Sequence, residues 1–118
     1  MNGIILLAHG SRDPQWVSPF EQIRAAVESR KSDCAVSLAY LEHSTPDFSG
    51  AVDRLVARGA MSIKVVPLFL GPGGHVRGDV PQLIERASTK HPRLKFDMVP
   101  FIGDARSVLD AIADYAAS

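Results

Sequence analysis

Two histidines stand where two apolar runs give way to small residues. Ile4-Ile5-Leu6-Leu7-Ala8 leads into His9-Gly10-Ser11-Arg12. Ile63-Lys64-Val65-Val66-Pro67-Leu68-Phe69-Leu70 leads into the loop Gly71-Pro72-Gly73-Gly74-His75-Val76-Arg77. Imidazole is the commonest metal ligand and the side chain best matched to proton transfer near neutral pH. A lone histidine at a strand end is more often a hydrogen-bonded structural residue. Two of them, each flanked by glycine with an arginine nearby, shift the balance towards a shared site. Two imidazoles do not close a structural zinc site, which has four protein ligands. They suit an open site where a metal ion is picked up and then released.

Other residues gather around these two. Glu42 follows Ala39-Tyr40-Leu41, at the end of another strand-like run. It reads either as a solvated loop acid or as a proton acceptor or third metal ligand. Arg12 and Arg77 are either solvated loop charges or bidentate clamps for carboxylates. Ser11 can add a hydroxyl donor. Gly73 and Gly74, in the glycine-rich loop from 71 to 74, let backbone approach a large ligand closely. The ligand that fits these parts is anionic, bulky and metal-receiving. His43 reads as a surface residue. His91 precedes Pro92 at a helix C-terminus, where a cation is favourable.

Nucleotide-binding motifs fail. Gly71-Pro72-Gly73-Gly74-His75-Val76 lacks the last glycine of G-x-G-x-x-G, and no G-K-[ST] is present. No R-H-G or G-x-S-x-G stands in the chain to support a hydrolase. No organic cofactor is expected.

The elements that must position these groups alternate. Strand candidates are Gly3 to Ala8, Ala35 to Leu41, Ser62 to Leu70 and Leu94 to Val99. Between them, Phe48, Ala51, Val52, Leu55 and Val56 mark an apolar helical stripe, with Thr45-Pro46 as its expected N-cap and N1 pair. Val80, Leu83, Ile84 and Ala87 mark the next helix. Ala105, Val108, Leu109, Ile112 and Ala116 mark the last, with Asp104 as its expected N-cap. The first helix begins either at Asp13-Pro14, kinked at Pro19, or after Ser18-Pro19 with its S-x-x-E spacing. Phe20, Ile23 and Val27 form its core face in both cases. This βαβαβαβα order predicts an α/β domain: a three-layer αβα sandwich, doubly wound and flavodoxin-like, around a mainly four-stranded parallel sheet with helices on both faces. In such sheets ligands bind beyond the carboxyl ends of the strands. His9, Glu42 and His75 all fall there.

Composition bounds the rest. The 118 residues predict one domain spanning 1–118. The chain has 46% hydrophobic and 22% charged residues, and 13 basic against 13 acidic side chains. That balance offers no electrostatic grip on nucleic acid or an anionic membrane. Cys34 is the sole cysteine, which rules out an internal disulfide. The apolar stretch near Met1 is too short for a membrane span and lacks a basic n-region, so a cytoplasmic protein is expected.

The combined pattern resembles a known family. An apolar strand followed by His9-Gly10-Ser11-Arg12, the segment Tyr40-Leu41-Glu42 followed by Pro46, and Val66-Pro67-Leu68-Phe69-Leu70-x-x-Gly73-Gly74-His75-Val76 are similar to the small CbiX-type sirohydrochlorin cobaltochelatases. These are class II chelatases, related to the sirohydrochlorin ferrochelatases and nickelchelatases. The resemblance runs from Gly3 to about Ile112. It implies insertion of Co2+, or of Ni2+ or Fe2+, into sirohydrochlorin. It implies His9 and His75 as metal-binding histidines and Glu42 as an acidic residue of the active region. It also implies a homodimer with its cleft between subunits, because larger relatives carry two such halves in one chain. A non-enzymatic carrier of metal or tetrapyrrole would use the same histidines without turnover.

Overall fold

A computed structural model describes residues 1–118. Four strands alternate with four helices. They are β1 (Asn2–Ala8), α1 (Pro14–Arg30), β2 (Cys34–Tyr40), α2 (Phe48–Ala57), β3 (Ser62–Pro67), α3 (Gly74–Lys90), β4 (Lys95–Met98) and α4 (Arg106–Ala117), with a 3-10 turn at Ile102–Asp104 before α4. The strands form one sheet in the order β2-β1-β3-β4, and every pairing is parallel. The expected α/β architecture therefore stands, and the carboxyl ends of all four strands share one edge.

Alternation along the strands divides the core in two. Ile5, Leu7, Ala39, Ile63 and Val65 point to one face, where α2 contributes Phe48, Ala51, Val52 and Leu55, and α3 contributes Val80 and Ala87. Ile4, Leu6, Ala8, Val36, Leu38 and Tyr40 point to the other, against Trp16, Val17, Phe20 and Val27 of α1. Burial on both faces is what makes β1 read as an unbroken apolar run.

Several boundaries differ from the sequence expectations. β3 stops at Pro67, and Leu68 to Leu70 continue as irregular chain. Helix α1 takes the longer alternative: the Asp13 carboxylate accepts from the Gln15 N–H at 2.9 Å, and Pro19 lies inside the helix. Its packed face centres on Trp16, Phe20 and Val27, which leaves Ile23 on the flank at 41% exposure. Helix α2 is capped by Asp47, not by Thr45-Pro46, because the Asp47 carboxylate reaches the Gly50 N–H at 2.8 Å. Asp104 does not cap α4, since it lies in the 3-10 turn and its carboxylate is engaged elsewhere. The expected core stripe of α4 is not core: none of its residues is buried, and its packing is chiefly against the 3-10 turn.

Candidate functional site

The loop after β1 is stitched to the loop after β2. The Leu41 N–H donates to the Ala8 carbonyl at 3.0 Å and the Glu42 N–H to the His9 carbonyl at 2.9 Å. The parallel pairing thus continues past both strands and brings His9 and Glu42 side by side. Ser44 closes the stitch: its hydroxyl donates to the Ser11 carbonyl and accepts from the Ser11 N–H, at 3.0 and 3.1 Å. Gly10 sits at the crossing with φ +96°, and a Cβ there would lie 1.7 Å from the Glu42 carbonyl oxygen. Only glycine allows that approach.

His9 is exposed, and its ring meets the buried Phe69 ring edge-on at 4.6 Å between centroids. None of the side-chain hydrogen bonds in the chain reaches its nitrogens. A cavity of about 530 Å3 opens beside it, lined by His9, Leu41, Glu42, Val76, Asp79, Gln82, Leu83 and Arg86. Residues 76, 79, 83 and 86 recur at i, i+3, i+7 and i+10, so one face of α3 forms the far wall. Sequence reasoning missed Asp79, Gln82 and Arg86. They flank the apolar stripe of α3 on the side turned towards the strand ends, and only the sheet order distinguishes that side from a solvent-facing one.

His75 is not in a loop. It lies in the first turn of α3, exposed, next to the cavity-lining Val76. Gly73 is the N-cap of α3 and supplies no side-chain cap, so the first N–H groups of the helix remain free for an anion. A Cβ at Gly73 or Gly74 would meet nothing within 4 Å. The chain's own packing therefore does not demand glycine at either position. No three His, Cys, Asp or Glu side chains come together closely enough to hold a metal ion.

The remaining polar candidates are partly engaged. The Ser11 hydroxyl accepts from the Asp13 N–H at 3.1 Å and so shapes the turn into α1. Arg12 is exposed, and its Nε donates to His43 Nδ1 at 3.3 Å. His43 adopts φ 64°, which swings its ring back over this loop, with Nε2 3.7 Å from the Glu42 carboxylate. Arg77 donates to both carboxylate oxygens of Asp104, at 2.9 and 3.3 Å, and lies over the Phe101 ring at 5.1 Å. The Asp104 hydrogen bonds raise the Arg77 pKa, and those same bonds lower that of Asp104. At the end of β2, burial pushes the Tyr40 hydroxyl above its ordinary range, with a smaller push from Glu21.

Comparison with known proteins places the chain in context. The CbiX family matches residues 3–118. A protein of Saccharolobus solfataricus named sirohydrochlorin cobaltochelatase is 38% identical over 84 residues, covering 71% of this chain and 64% of that one. The crystal structure of the CbiX protein of Marinobacter aquaeolei VT8 superposes with a TM-score of 0.85 at 35% identity, over 99% of this chain and 95% of that one. The sirohydrochlorin chelatase SirB of Bacillus subtilis subspecies spizizenii, solved in complex with cobalt, gives a TM-score of 0.73 at 27% identity, over 98% of this chain and 50% of that one. The chain spans less than two thirds of the length of the curated relatives it matches. No helix is long and apolar enough to cross a membrane.

Proposed function

Because this chain belongs to the CbiX family, we propose that it inserts a divalent metal ion, Co2+ first among Co2+, Ni2+ and Fe2+, into sirohydrochlorin, acting in the cytoplasm as a homodimer. The observation that carries this reading is the cavity at the strand ends, where the exposed His9 and Glu42 line one wall and one face of α3, carrying Asp79, Gln82 and Arg86 beside Val76 and Leu83, forms the other. Its volume lies within the usual range for small-molecule sites, roughly 300–1,000 Å3. It is too open to bury a wide, flat macrocycle alone. A second copy facing it supplies the missing wall.

The chemistry follows from the groups present. The metal ion is substrate. Neutral imidazoles of His9 and His75 hold it through nitrogen and leave coordination positions for the four ring nitrogens of the tetrapyrrole. As a dication enters, two N–H protons must leave the macrocycle. Glu42, beside His9, accepts one, and an imidazole freed of metal accepts another. The peripheral carboxylates of the substrate need cations and N–H donors. Arg77 is already taken by Asp104, so Arg86 and Gln82 on α3, Arg12, and the free N–H groups at Gly73 and Gly74 supply them.

Absorbance of sirohydrochlorin incubated with the protein and each metal tests the proposal. His9→Ala and His75→Ala should each slow insertion by about 100-fold, as loss of a positioned acid–base or ligand group does. Both residues are exposed, so their melting curves should match the parent. Turnover at the parent rate in either variant, at limiting metal, refutes the ligand assignment. Tight binding of metal and tetrapyrrole without a spectral change of insertion replaces the enzyme with a carrier.

A further inference from the structure

We propose that His43 is a positioning residue. Held by Arg12, it presents its Nε2–H to the Glu42 carboxylate and aims that carboxylate into the cavity, so that Arg12, His43 and Glu42 act as one chain. This rests on the reading of Glu42 as proton acceptor given above. His43 is the one non-glycine residue of the protein at positive φ, 64°. The Ser44 N–H donates to the Glu42 carbonyl at 2.8 Å, so His43 is the centre of a three-residue turn of the rare, strained hand. Histidine tolerates that region better than most side chains, but strain of this kind persists only where the surroundings enforce it.

The surroundings do enforce it. Glu42 on one side of the turn is tied to His9, and Ser44 on the other is tied twice to Ser11. Arg12 follows Ser11 directly, so the stitch that holds Ser44 also delivers a guanidinium to the His43 ring. There Arg12 Nε donates to His43 Nδ1 at 3.3 Å.

Chemistry fixes the direction of the chain. A guanidinium only donates, so Nδ1 carries the lone pair and the proton of the neutral ring sits on Nε2. Nε2 faces Glu42, 3.7 Å from Oε2. That is past hydrogen-bond length, but catalytic hydrogen bonds are commonly long without substrate and tighten with it. The Glu42 side chain is 63% exposed, and no other side chain donates to it. An N–H on one of its oxygens gives it a direction and leaves the other oxygen for the cavity that Glu42 lines. The same polarity removes His43 from the metal ligands. A metal on Nε2 would drive the proton to Nδ1, against the Arg12 N–H.

Arg12 joins the chain to the substrate. Its Nε is spent on His43, while its two terminal nitrogens stay free for a peripheral carboxylate. A carboxylate bound there fixes the guanidinium, and through His43 it fixes the base. The proton acceptor is then aimed only when an arm of the tetrapyrrole is in place.

Steady-state insertion kinetics on the whole chain test this. Asparagine also tolerates positive φ, so His43→Asn should keep the parent's circular dichroism and melting curve. It should lower kcat about 10-fold with KM within about twofold, as loss of a coupled neighbour does. His43→Gly, free at that φ, should behave alike. In a Glu42→Gln background, His43→Asn should cost nothing further. Arg12→Ala should raise KM and lower kcat; in a His43→Asn background it should still raise KM but leave kcat where it is. Losses of kcat that multiply in either cycle overturn the chain, as does His43→Asn at the parent's kcat. A His43→Asn protein that loses only KM makes His43 a substrate contact and also overturns it. Glu42→Gln at the parent's rate overturns the proton-acceptor reading, and the chain with it.

Discussion

Alanine at Gly10 should damage the fold and the site in one step. The new Cβ would start 1.7 Å from the Glu42 carbonyl oxygen. Carbon and oxygen tolerate no closer approach than about 3.3 Å, so the two loops must part by roughly 1.5 Å. That movement breaks the Glu42–His9 backbone hydrogen bond and both bonds between Ser11 and Ser44. Three such bonds contribute about 1 kcal/mol each. A non-glycine residue held at φ +96° adds about 1–3 kcal/mol of strain. The sum is about 4–6 kcal/mol, a large share of the roughly 5–15 kcal/mol that stabilises a typical domain. Urea unfolding followed by circular dichroism measures it. Any folded fraction should insert metal about 100-fold more slowly, because His9 and Glu42 move apart by more than 1 Å. Gly71→Ala is the control: its Cβ meets nothing and it lies outside the cap of α3, and its unfolding midpoint should stay put. A Gly10→Ala protein within about 1 kcal/mol of the parent would refute the reasoning, since no route around a contact this short leaves the loops in place.

Arg86→Ala should raise KM for the tetrapyrrole about 10-fold, one lost charge-assisted hydrogen bond, with unfolding unchanged. Arg77→Ala should leave KM as it is and instead speed hydrogen exchange at Gly103 and Asp104; the reverse pattern exchanges the two roles. Asp53 accepts from Lys90 Nζ at 2.9 Å and pairs with His91 Nε2 at 3.0 Å, and these hydrogen bonds, Lys90 first, lower its pKa. A lowered folded value means the contribution is present above the ordinary carboxylate pKa of about 3.9 and is lost as pH falls below it. The pair is exposed, so the effect stays under about 1 kcal/mol. Acid unfolding of Asp53→Asn should therefore lack this last decrement, and a parent-like acid limb would contradict it.

The sheet was legible because its signal is local and repeated. Ile4 to Ala8 is buried on both faces, so the run itself announces a central parallel strand. The stripe of α2 was equally plain, and Phe48, Ala51, Val52 and Leu55 are all buried. Its cap was misplaced because Thr45-Pro46 fits an N-terminus by composition, whereas only geometry shows the Asp47 carboxylate reaching Gly50. Helix α4 misled for a deeper reason. Periodicity says that a face must be covered and not by which molecule, so a stripe identical in kind to that of α2 ends in solvent within one chain. At the site, His9 and Glu42 were legible as strand ends on one edge. The engagement of Arg77 was not, because Asp104 lies 27 residues away. Nor was the α3 wall, because polar residues beside an apolar stripe look like ordinary solvent-facing side chains until the neighbouring strand order is known.

The way His9 is held bears on time as well as on place. A histidine that keeps a metal permanently is normally braced through its other nitrogen by a carboxylate or carbonyl, and loss of that brace weakens retention roughly 10–100-fold. The His9 nitrogens have no such side-chain hydrogen bond, and its ring packs nearly perpendicular to that of Phe69. With association limited by diffusion, weaker retention appears entirely as faster departure. With His9 in the ligand role proposed above, an ion on its imidazole would have a dwell time shortened by about the same 10–100-fold. A delivery site profits from that brevity. Throughput is then governed by how often a loaded imidazole meets a seated macrocycle, and an ion that finds none returns to solution before it can block the next encounter.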